Sequence, residues 1–199
     1  MEHSKDLKQI YKKYIEIDKK ILRIVEILKE DLFKKNKILG VHFRGTSYKY
    51  GKNPYPATIT QMKDKIHKII KTDRYDKIFL VTEDIKHFDA LKKEFNDKII
   101  YLKNSYKSTG KIAFSKYPRL NHRYKLGRDI LIETCLLSYC DGYLDTEGNI
   151  RSAVLTMNFN LKQIRYIIDN GFNPGLPFIG NYIWYIKSIL PSFLGGFRI

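Results

Sequence analysis

A histidine and an arginine stand at the end of an apolar run, in the segment KILGVHFRGTSYKYG at residues 37–51. Alternate side chains of a strand point to opposite faces, so His42 and Arg44 share one face. Buried polar side chains need hydrogen-bonding partners or a ligand. A planar guanidinium suits the oxygens of a phosphate, and Gly45 lets a ligand approach the backbone closely. A structural ion pair for Arg44 and a core hydrogen bond for His42 explain the pattern equally well.

A carboxylate stands in a second segment, GRDILIETCLLSYCDGYL at residues 127–144. Glu133 lies among Ile and Leu in a helical pattern that is apolar on most sides, where a buried carboxylate is costly without strong donors. The Watson–Crick edge of guanine offers two such donors, the ring N1–H and the exocyclic amine. Asp129, one turn earlier on a similar face, is expected to be the solvated acid of the pair. The alternative is that Glu133 lies on a narrow solvated stripe.

A third segment, DTEGNIRSA at residues 145–153, leads from a strand through a glycine into a helix. Backbone N–H groups at such a turn form an anion site, and Asn149, Arg151 and Ser152 supply further donors. The segment lacks the GxGxxG spacing and turns of this composition are common, so this signal is weak by itself.

Short apolar runs alternate with helical patterns between these segments. The runs that favour strands are 37–43, 77–82, 98–102 and 142–145, and the helical patterns are 58–71, 84–95, 124–139 and 149–157. Such alternation indicates βαβ units, so we expect an α/β fold with a Rossmann-like parallel sheet covered by helices on both faces. The periodicity of residues 5–34 predicts an amphipathic helix, either continuous or broken once.

Two connections, 44–57 and 103–121, are longer than a compact fold needs, and both follow strands. Ligands bind beyond the carboxyl ends of strands in open α/β sheets, which makes both loops candidates for binding.

Thr82 or Asp84 is expected to cap the helix that begins near residue 84, with Glu83 and Asp84 at the positive end of its dipole.

The formal net charge of the 199-residue chain is +16, which indicates attraction to polyanions, anionic lipids or phosphorylated ligands. A genome with a biased composition would also produce part of this lysine excess, without any selection for binding.

Cys135 and Cys140 are interpreted as reduced core residues, and the spacing of the histidines gives no support for a metal site. The sequence has neither a signal peptide nor a window long enough to span a membrane, so a cytoplasmic protein is the simplest interpretation.

The last part of the chain differs in composition, and we divide the sequence accordingly into an amphipathic helical segment (1–36), a central Rossmann-like domain (37–160) and an aromatic and apolar tail (161–199). Only Lys187 and Arg198 are charged after Pro174. The tail either packs back on the core or forms an interaction surface, and a peripheral membrane association stays open for it.

In their order along the chain, GVHFRGT, KIFLVTED and GRDILIETCLLSYCDGYLDTEGNIRSA resemble the nucleotide-binding half of the GDP-fucose-dependent fucosyltransferases. This superfamily includes α-1,6-fucosyltransferases, the rhizobial nodulation fucosyltransferase and protein O-fucosyltransferases. The resemblance covers residues 37–160. It implies the donor-binding domain of a GT-B glycosyltransferase, which takes a GDP-sugar such as GDP-fucose and transfers the sugar to a glycan acceptor with inversion, without a metal ion or other cofactor.

The resemblance also implies roles for individual residues. Arg44 would hold the β-phosphate of the donor as the catalytic residue, and His42 would line the nucleotide site. Glu133 would recognise guanine, while the turn at Gly148 and Asn149 would lie against the diphosphate. The donor site is completed by Gly45 and by a weaker set of candidates: Thr46, Ser47, Glu83, Asp84 and Ser152.

Three positions depart from the family pattern. Ser47 stands where an aspartate is usual, Gly148 stands where a serine often precedes Asn149, and Arg151 stands where a small polar residue is usual.

The region before residue 37 has room for only a helix, so the acceptor-binding domain is expected on another chain or in a missing part. Two alternatives stay open: a catalytically inactive GDP-sugar-binding subunit, and a basic protein that binds nucleic acid or anionic membranes.

Overall fold

The computed structural model describes residues 8–11, 13–45, 49, 52–110, 117–176 and 179–198. Thr46 and Ser47, two of the weaker site candidates, lie outside the described residues.

A five-stranded parallel sheet forms the centre of the fold, with the spatial order β3-β2-β1-β4-β5. This is the order of a Rossmann-like sheet, in which the chain moves outward from β1 in one direction and then in the other. The predicted α/β fold with a parallel sheet is confirmed. The strands are β1 (Ile38–His42), β2 (Lys77–Val81), β3 (Ile99–Ile100), β4 (Gly142–Asp145) and β5 (Ile164–Ile167).

Helices cover both faces of the sheet. One apolar cluster joins α2 and α3 to one face, and a second joins α1, α4 and α5 to the other. The side chains of β1 alternate between the clusters, with Leu39 and Val41 in the first and Ile38 in the second. The helices are α1 (Lys19–Phe33), α2 (Ile59–Asp73), α3 (Ile85–Phe95), α4 (His122–Tyr139), α5 (Asn149–Met157) and α6 (Ile183–Ile189).

Local side-chain caps define where several helices begin. Thr58 and Gln61 form a reciprocal capping box at the start of α2. Asp84 caps α3 by accepting a hydrogen bond from the backbone N–H of Lys86 at 2.8 Å, so Asp84 is the cap among the two predicted candidates. Asp18 caps α1 in the same way, by accepting from the backbone N–H of Lys20.

The N-terminal helical pattern is interrupted. Residues 8–11 and 13–14 are helical, residues 15–18 are not, and α1 begins at Lys19. Of the two predictions for residues 5–34, the structure shows the helix that is broken once, and Asp18 caps its second part, α1.

The sheet extends beyond residue 160 into the stretch we assigned to the tail. Residues 164–167 form β5, which pairs in parallel with β4. Ile164 and Arg165 are exposed on this edge strand, so it lacks the continuous apolar run that marks the central strands. The rest of the tail is partly anchored, because Trp184 and Phe197 pack with Tyr55 in a third, smaller cluster.

Across the described residues, no helix combines the length and apolar character that a membrane span requires.

Candidate functional site

A cavity lies beyond the carboxyl ends of β1 and β2, and because Ile150 after β4 also lines it, it adjoins the point between β1 and β4 where the sheet order changes direction. It encloses about 60 Å³. Ligands of doubly wound sheets bind at such a switch point. Four of the predicted donor-site residues meet here: His42, Arg44, Glu83 and Glu133. The complete lining is His42, Arg44, Val81, Thr82, Glu83, Ser105, Tyr106, Leu126, Asp129, Ile130, Glu133, Thr134 and Ile150.

His42 is the last residue of β1 and is buried. Burial lowers the pKa of its imidazole to about 4, with Glu83 opposing the shift and Arg44 adding to it. The ring is therefore neutral at pH 7, with one donor nitrogen and one acceptor nitrogen. Its Nδ1 has no hydrogen-bond partner in the part of the chain that the structure describes. This ring offers a neutral hydrogen-bonding group to the cavity.

Arg44 follows β1 and is half-buried at the cavity wall. The next residue, Gly45, donates its backbone N–H to Oε1 of Glu83 at 3.2 Å, which ties the end of β1 to the end of β2. A Cβ on Gly45 would lie 2.3 Å from Cε1 of His87, whose ring stacks on Phe43 with centroids 3.9 Å apart. The close neighbour that requires a glycine here is thus the His87 ring.

Glu133 lies on the α4 side of the cavity and is only 6% exposed. The solvated-stripe alternative is therefore wrong. Burial raises the pKa of this carboxyl to about 7, with the nearby Lys107 opposing the rise. Among the described residues, Oε1 of Glu133 has no hydrogen-bond partner. The site thus holds a buried acid with an unfilled acceptor position, which a donor on a ligand can fill.

Asp129 differs from its prediction as the solvated acid of the pair. It is 7% exposed, and the Nη1 of Arg119 donates to its Oδ2 at 3.0 Å. The physical reason is that the segment before α4 places Arg119 beside this face of the helix, which periodicity within the helix does not reveal. Asp129 is accordingly the ion-paired acid, and Glu133 is the acid left for a ligand.

The turn between β4 and α5 is built differently from our expectation. The guanidinium of Arg151 donates to Oδ1 of the buried Asp145 at 2.9 Å, so it is a structural partner of the strand that ends at this turn. Burial raises the pKa of Asp145 to about 6 despite the opposing effect of Arg151. Ile150 is the residue of this turn that reaches the cavity.

The remaining candidates lie around the cavity without forming its described wall. Gly148 caps α5 through its backbone, and Asn149 and Ser152 are exposed on the first turns of that helix. Asp84 serves as the cap of α3. Of these four residues, none is in the lining that the described residues form.

Sequence reasoning missed the contribution of the segment after β3. Ser105 and Tyr106 line the cavity, and Lys107 is half-buried and close enough to Glu133 to act on its pKa. Burial lowers the pKa of Lys107 itself, and Glu133, Glu83 and Asp129 oppose that shift. The length of the loop 103–121 was the only available signal, because Ser, Tyr and Lys are too common to stand out one by one.

Within the described residues, no group of three or more His, Cys, Asp or Glu side chains is arranged to hold a metal ion. Cys135 and Cys140 are buried and free, as predicted.

No protein-family model and no curated protein sequence matches this chain. Among solved structures, it is similar to the fucosyltransferase NodZ from Bradyrhizobium, at 18% identity over 81% of this chain and 47% of that chain, with a TM-score of 0.48. It is also similar to NodZ α-1,6-fucosyltransferase co-crystallised with GDP, at 16% identity over 68% of this chain and 40% of that chain, with a TM-score of 0.44.

A third similar structure is POFUT1 in complex with GDP-fucose, at 9% identity over 75% of this chain and 46% of that chain, with a TM-score of 0.48. This chain spans less than half the length of each of the three. A likeness of this degree concerns the general architecture, so the site has to be judged from its own contacts.

Proposed function

We propose that the cavity binds the nucleotide of a GDP-sugar, with GDP-fucose as the donor, and that the chain is the donor-binding part of a fucosyltransferase-like glycosyltransferase. The observation that carries this proposal is the buried Glu133 carboxylate, which shares one cavity with Arg44 and has an oxygen without a hydrogen-bond partner among the described residues. The motif resemblance supports the same assignment.

The carboxylate selects guanine by hydrogen-bond complementarity. Guanine presents the N1–H and the exocyclic amine side by side, and one ionised carboxylate accepts from both. Adenine presents an acceptor at N1, and uracil has a single N–H on that edge, so both leave the buried Glu133 less well satisfied. Discrimination arises because an unsatisfied buried charge is costly.

Arg44 lies in the same cavity and suits the diphosphate. In an inverting transfer the bond between C1 of the sugar and the β-phosphate oxygen breaks as the acceptor hydroxyl oxygen bonds to C1 and loses its proton to solvent. Negative charge then gathers on GDP while the sugar becomes oxocarbenium-like. A fixed guanidinium stabilises the departing diphosphate more than the intact donor, which is the differential binding that accelerates a reaction. The neutral His42 adds a hydrogen bond without further charge.

The loop after β3 contributes Ser105 and Tyr106 to the wall of the cavity. Tyr106 contacts the ring of His122 edge-on, at a centroid distance of 4.8 Å. Its aromatic ring is suited to pack against a base in the cavity.

Calorimetric titration with GDP, ADP and UDP tests the binding proposal. We expect GDP to bind at least about tenfold more tightly than ADP or UDP, and Glu133→Ala to remove that preference. Arg44→Ala should weaken all three nucleotides, because a diphosphate contact does not depend on the base. Glu30→Ala and Arg23→Ala, which remove exposed charges of the same sign from α1, serve as matched controls and should bind as the unaltered chain does. Equal affinity for the three nucleotides would refute the proposal.

A turnover assay separates an enzyme from a binding subunit. The purified chain is incubated with GDP-fucose and release of GDP is measured, with and without glycan acceptors. We expect GDP release that Arg44→Ala lowers by about 100-fold or more. Tight GDP binding without any release would instead favour the catalytically inactive GDP-sugar-binding subunit.

A further inference from the structure

Two buried acids share one side of α4. Asp129 and Glu133 lie one turn apart, and both line the cavity. Like charges this close oppose each other's ionisation, and Asp129 accordingly adds to the rise in the pKa of Glu133. Whether Glu133 meets a ligand as a carboxylate therefore depends in part on what compensates the charge of Asp129.

Arg119 compensates that charge from the segment before α4. Its Nη1 donates to Oδ2 of Asp129 at 3.0 Å and to the carbonyl of Asn104 at 3.3 Å. Its Nε donates to Nδ1 of His122, the first residue of α4, at 3.3 Å. Because Asn104 lies in the loop after β3, one guanidinium fastens the start of the loop 103–121 to the side of α4 that carries Asp129.

The same contacts reach the cavity wall through Tyr106. The ring of Tyr106 lies 4.8 Å from the ring of the buried His122 and 5.7 Å from the guanidinium carbon of Arg119. Within the lining that the described residues form, Tyr106 and Asp129 are present and Arg119 is not. Arg119 thus acts on the cavity through residues that line it.

Groups from other elements also face Glu133. Lys107 favours its ionisation, and Glu83 at the end of β2 opposes it. Lys107 belongs to the loop that Arg119 fastens, so a test of Arg119 has to separate the effect of Asp129 from that of the loop. The charged or hydrogen-bonding groups around Glu133 in addition to Asp129 are His42, Arg44, Glu83, Ser105 and Lys107.

We propose that Arg119 is a positioning residue for the ligand of this cavity. It holds the Asp129 carboxylate and the loop 103–121 against α4, so that Glu133 is the acid presented to the ligand and Tyr106 stays on the wall. The inference rests on the proposed function for the identity of the ligand, whereas the effect of Arg119 on Glu133 belongs to the free protein.

The titration of Glu133 in the free protein tests the first step. The glutamate side chains are labelled with carbon-13, and the carboxyl resonance that Glu133→Gln removes is followed with pH by NMR. Arg119→Ala should raise the titration midpoint by about one pH unit, because the charge of Asp129 is then less compensated. Asp129→Asn should lower the midpoint, and in its presence Arg119→Ala should have almost no further effect.

Arg128→Ala is the matched control. Arg128 approaches Oδ1 of the same Asp129 at 3.5 Å, but its side chain is 41% exposed and solvent screens its charge. The midpoint should move by less than half as much as with Arg119→Ala. If Arg119→Ala does not fold, Arg119→Gln takes its place, since a neutral amide fills more of the same space.

Two results of the NMR titration would overturn the proposal. One is an unchanged midpoint in a folded Arg119 variant. The other is an equal rise with and without Asp129→Asn, because the loop and its Lys107 would then be the cause.

Calorimetric titration with GDP at pH 7 and at pH 8.5 extends the test to the ligand. A midpoint that rises by one pH unit from about 7 lowers the ionised fraction of Glu133 about fivefold at pH 7 and only slightly at pH 8.5. Arg119→Ala should therefore weaken GDP about fourfold more at pH 7 than at pH 8.5. Arg119→Lys keeps the charge but loses the forked donors, so it should restore the pH dependence and only part of the affinity.

The two titrations distinguish failure of this inference from failure of the proposed function. A loss of GDP affinity in Arg119→Ala that is equal at the two pH values would overturn the inference in favour of a purely structural role. Absence of GDP binding by the unaltered chain, together with the expected NMR midpoints, would refute the proposed function and support the assignment of Arg119.

Discussion

At the scale of single residues, Glu133 combines a cost to folding with the binding role that we propose for it. Its pKa is raised to about 7 from 4.5, chiefly because burial disfavours the charged form. The folded protein therefore holds the proton more tightly than the unfolded chain does, so stability falls as pH rises from about 4.5 to 7. A group that destabilises the free protein but fits a ligand is typical of a binding site.

We predict that Glu133→Gln stabilises the free protein at pH 8 by about 1–3 kcal/mol, because the neutral amide avoids the cost of a buried charge. Urea unfolding at pH 8 and at pH 4.5 measures the effect, which should shrink at the lower pH, where Glu133 is protonated in the folded state. The same variant should bind GDP more weakly. A loss of stability at pH 8 would show that the carboxylate is compensated within the folded protein.

We also predict that the pH dependence of GDP binding reports Glu133. Between pH 8 and pH 6 the ionised fraction of a group with a pKa of about 7 falls by roughly tenfold, so GDP affinity should fall by a similar factor. The terminal phosphate of the nucleotide also titrates near about pH 6, as does Asp145, so the comparison is made against Glu133→Ala, in which these two effects remain and that of Glu133 is removed. His42, with a pKa of about 4, stays neutral over this range. Identical pH profiles for the two proteins would contradict the assignment.

At the scale of secondary-structure elements, the junction of β4 and α5 depends on one buried ion pair. Asp145 ends β4 fully buried, and the guanidinium of Arg151 from α5 is its partner at 2.9 Å. The same guanidinium lies 3.6 Å from the exposed Glu147. Breaking a buried pair from one side leaves an uncompensated charge, whereas an exposed partner contributes little.

We predict that Arg151→Ala destabilises the fold by about 2–4 kcal/mol at pH 8, as measured by urea unfolding. Adding Asp145→Asn should restore part of that loss, because no buried charge is then left unpaired. Glu147→Ala is the control and should change stability by less than about 0.5 kcal/mol. If the double variant were as unstable as Arg151→Ala alone, the ion pair would not be the cause.

The elements with strong patterns could be predicted from the sequence, and those with weak patterns could not. The central strands are continuous apolar runs bounded by turns, so β1, β2 and β4 lie close to their predicted positions. The edge strand β5 offered only four residues, two of them exposed, and was overlooked.

The candidate site was predictable to a similar extent. Glu133 stood out because a charge among leucines and isoleucines is costly unless it has a purpose. The pairing of Asp129 with Arg119 and the presence of Lys107 beside Glu133 depend on how a long loop folds across α4, and no local periodicity encodes that. Long-range contacts between a loop and a helix are the part that one sequence leaves open.

At the scale of the whole molecule, the net charge of +16 affects every nucleotide alike. Long-range attraction draws in any diphosphate, and salt screens it over a Debye length of about 10 Å at 0.1 M. The contact proposed between Glu133 and a base would be buried and short, so salt should leave it almost unchanged. The proposal therefore assigns affinity and selectivity to separate physical sources.

We accordingly predict that raising the salt from about 0.05 M to about 0.5 M weakens GDP, ADP and UDP by similar factors and leaves their ratio unchanged. Titration calorimetry at the two salt concentrations provides the measurement. A GDP preference that disappears with salt would mean that surface lysines produce it, and the basic nucleic-acid or membrane binder would then be the better account.

The central claim is that Glu133 reads the edge of guanine, and the ratio of affinities for GDP and inosine diphosphate tests it most directly. Inosine diphosphate keeps the N1–H and the diphosphate but lacks the exocyclic amine, so the two ligands differ only in the hydrogen bond assigned to the carboxylate. We predict that the unaltered chain binds GDP about 10- to 100-fold more tightly, as expected for one hydrogen bond to a charged group, and that Glu133→Ala brings the ratio close to one. A ratio close to one in the unaltered chain, or a ratio that Glu133→Ala leaves unchanged, would contradict the claim.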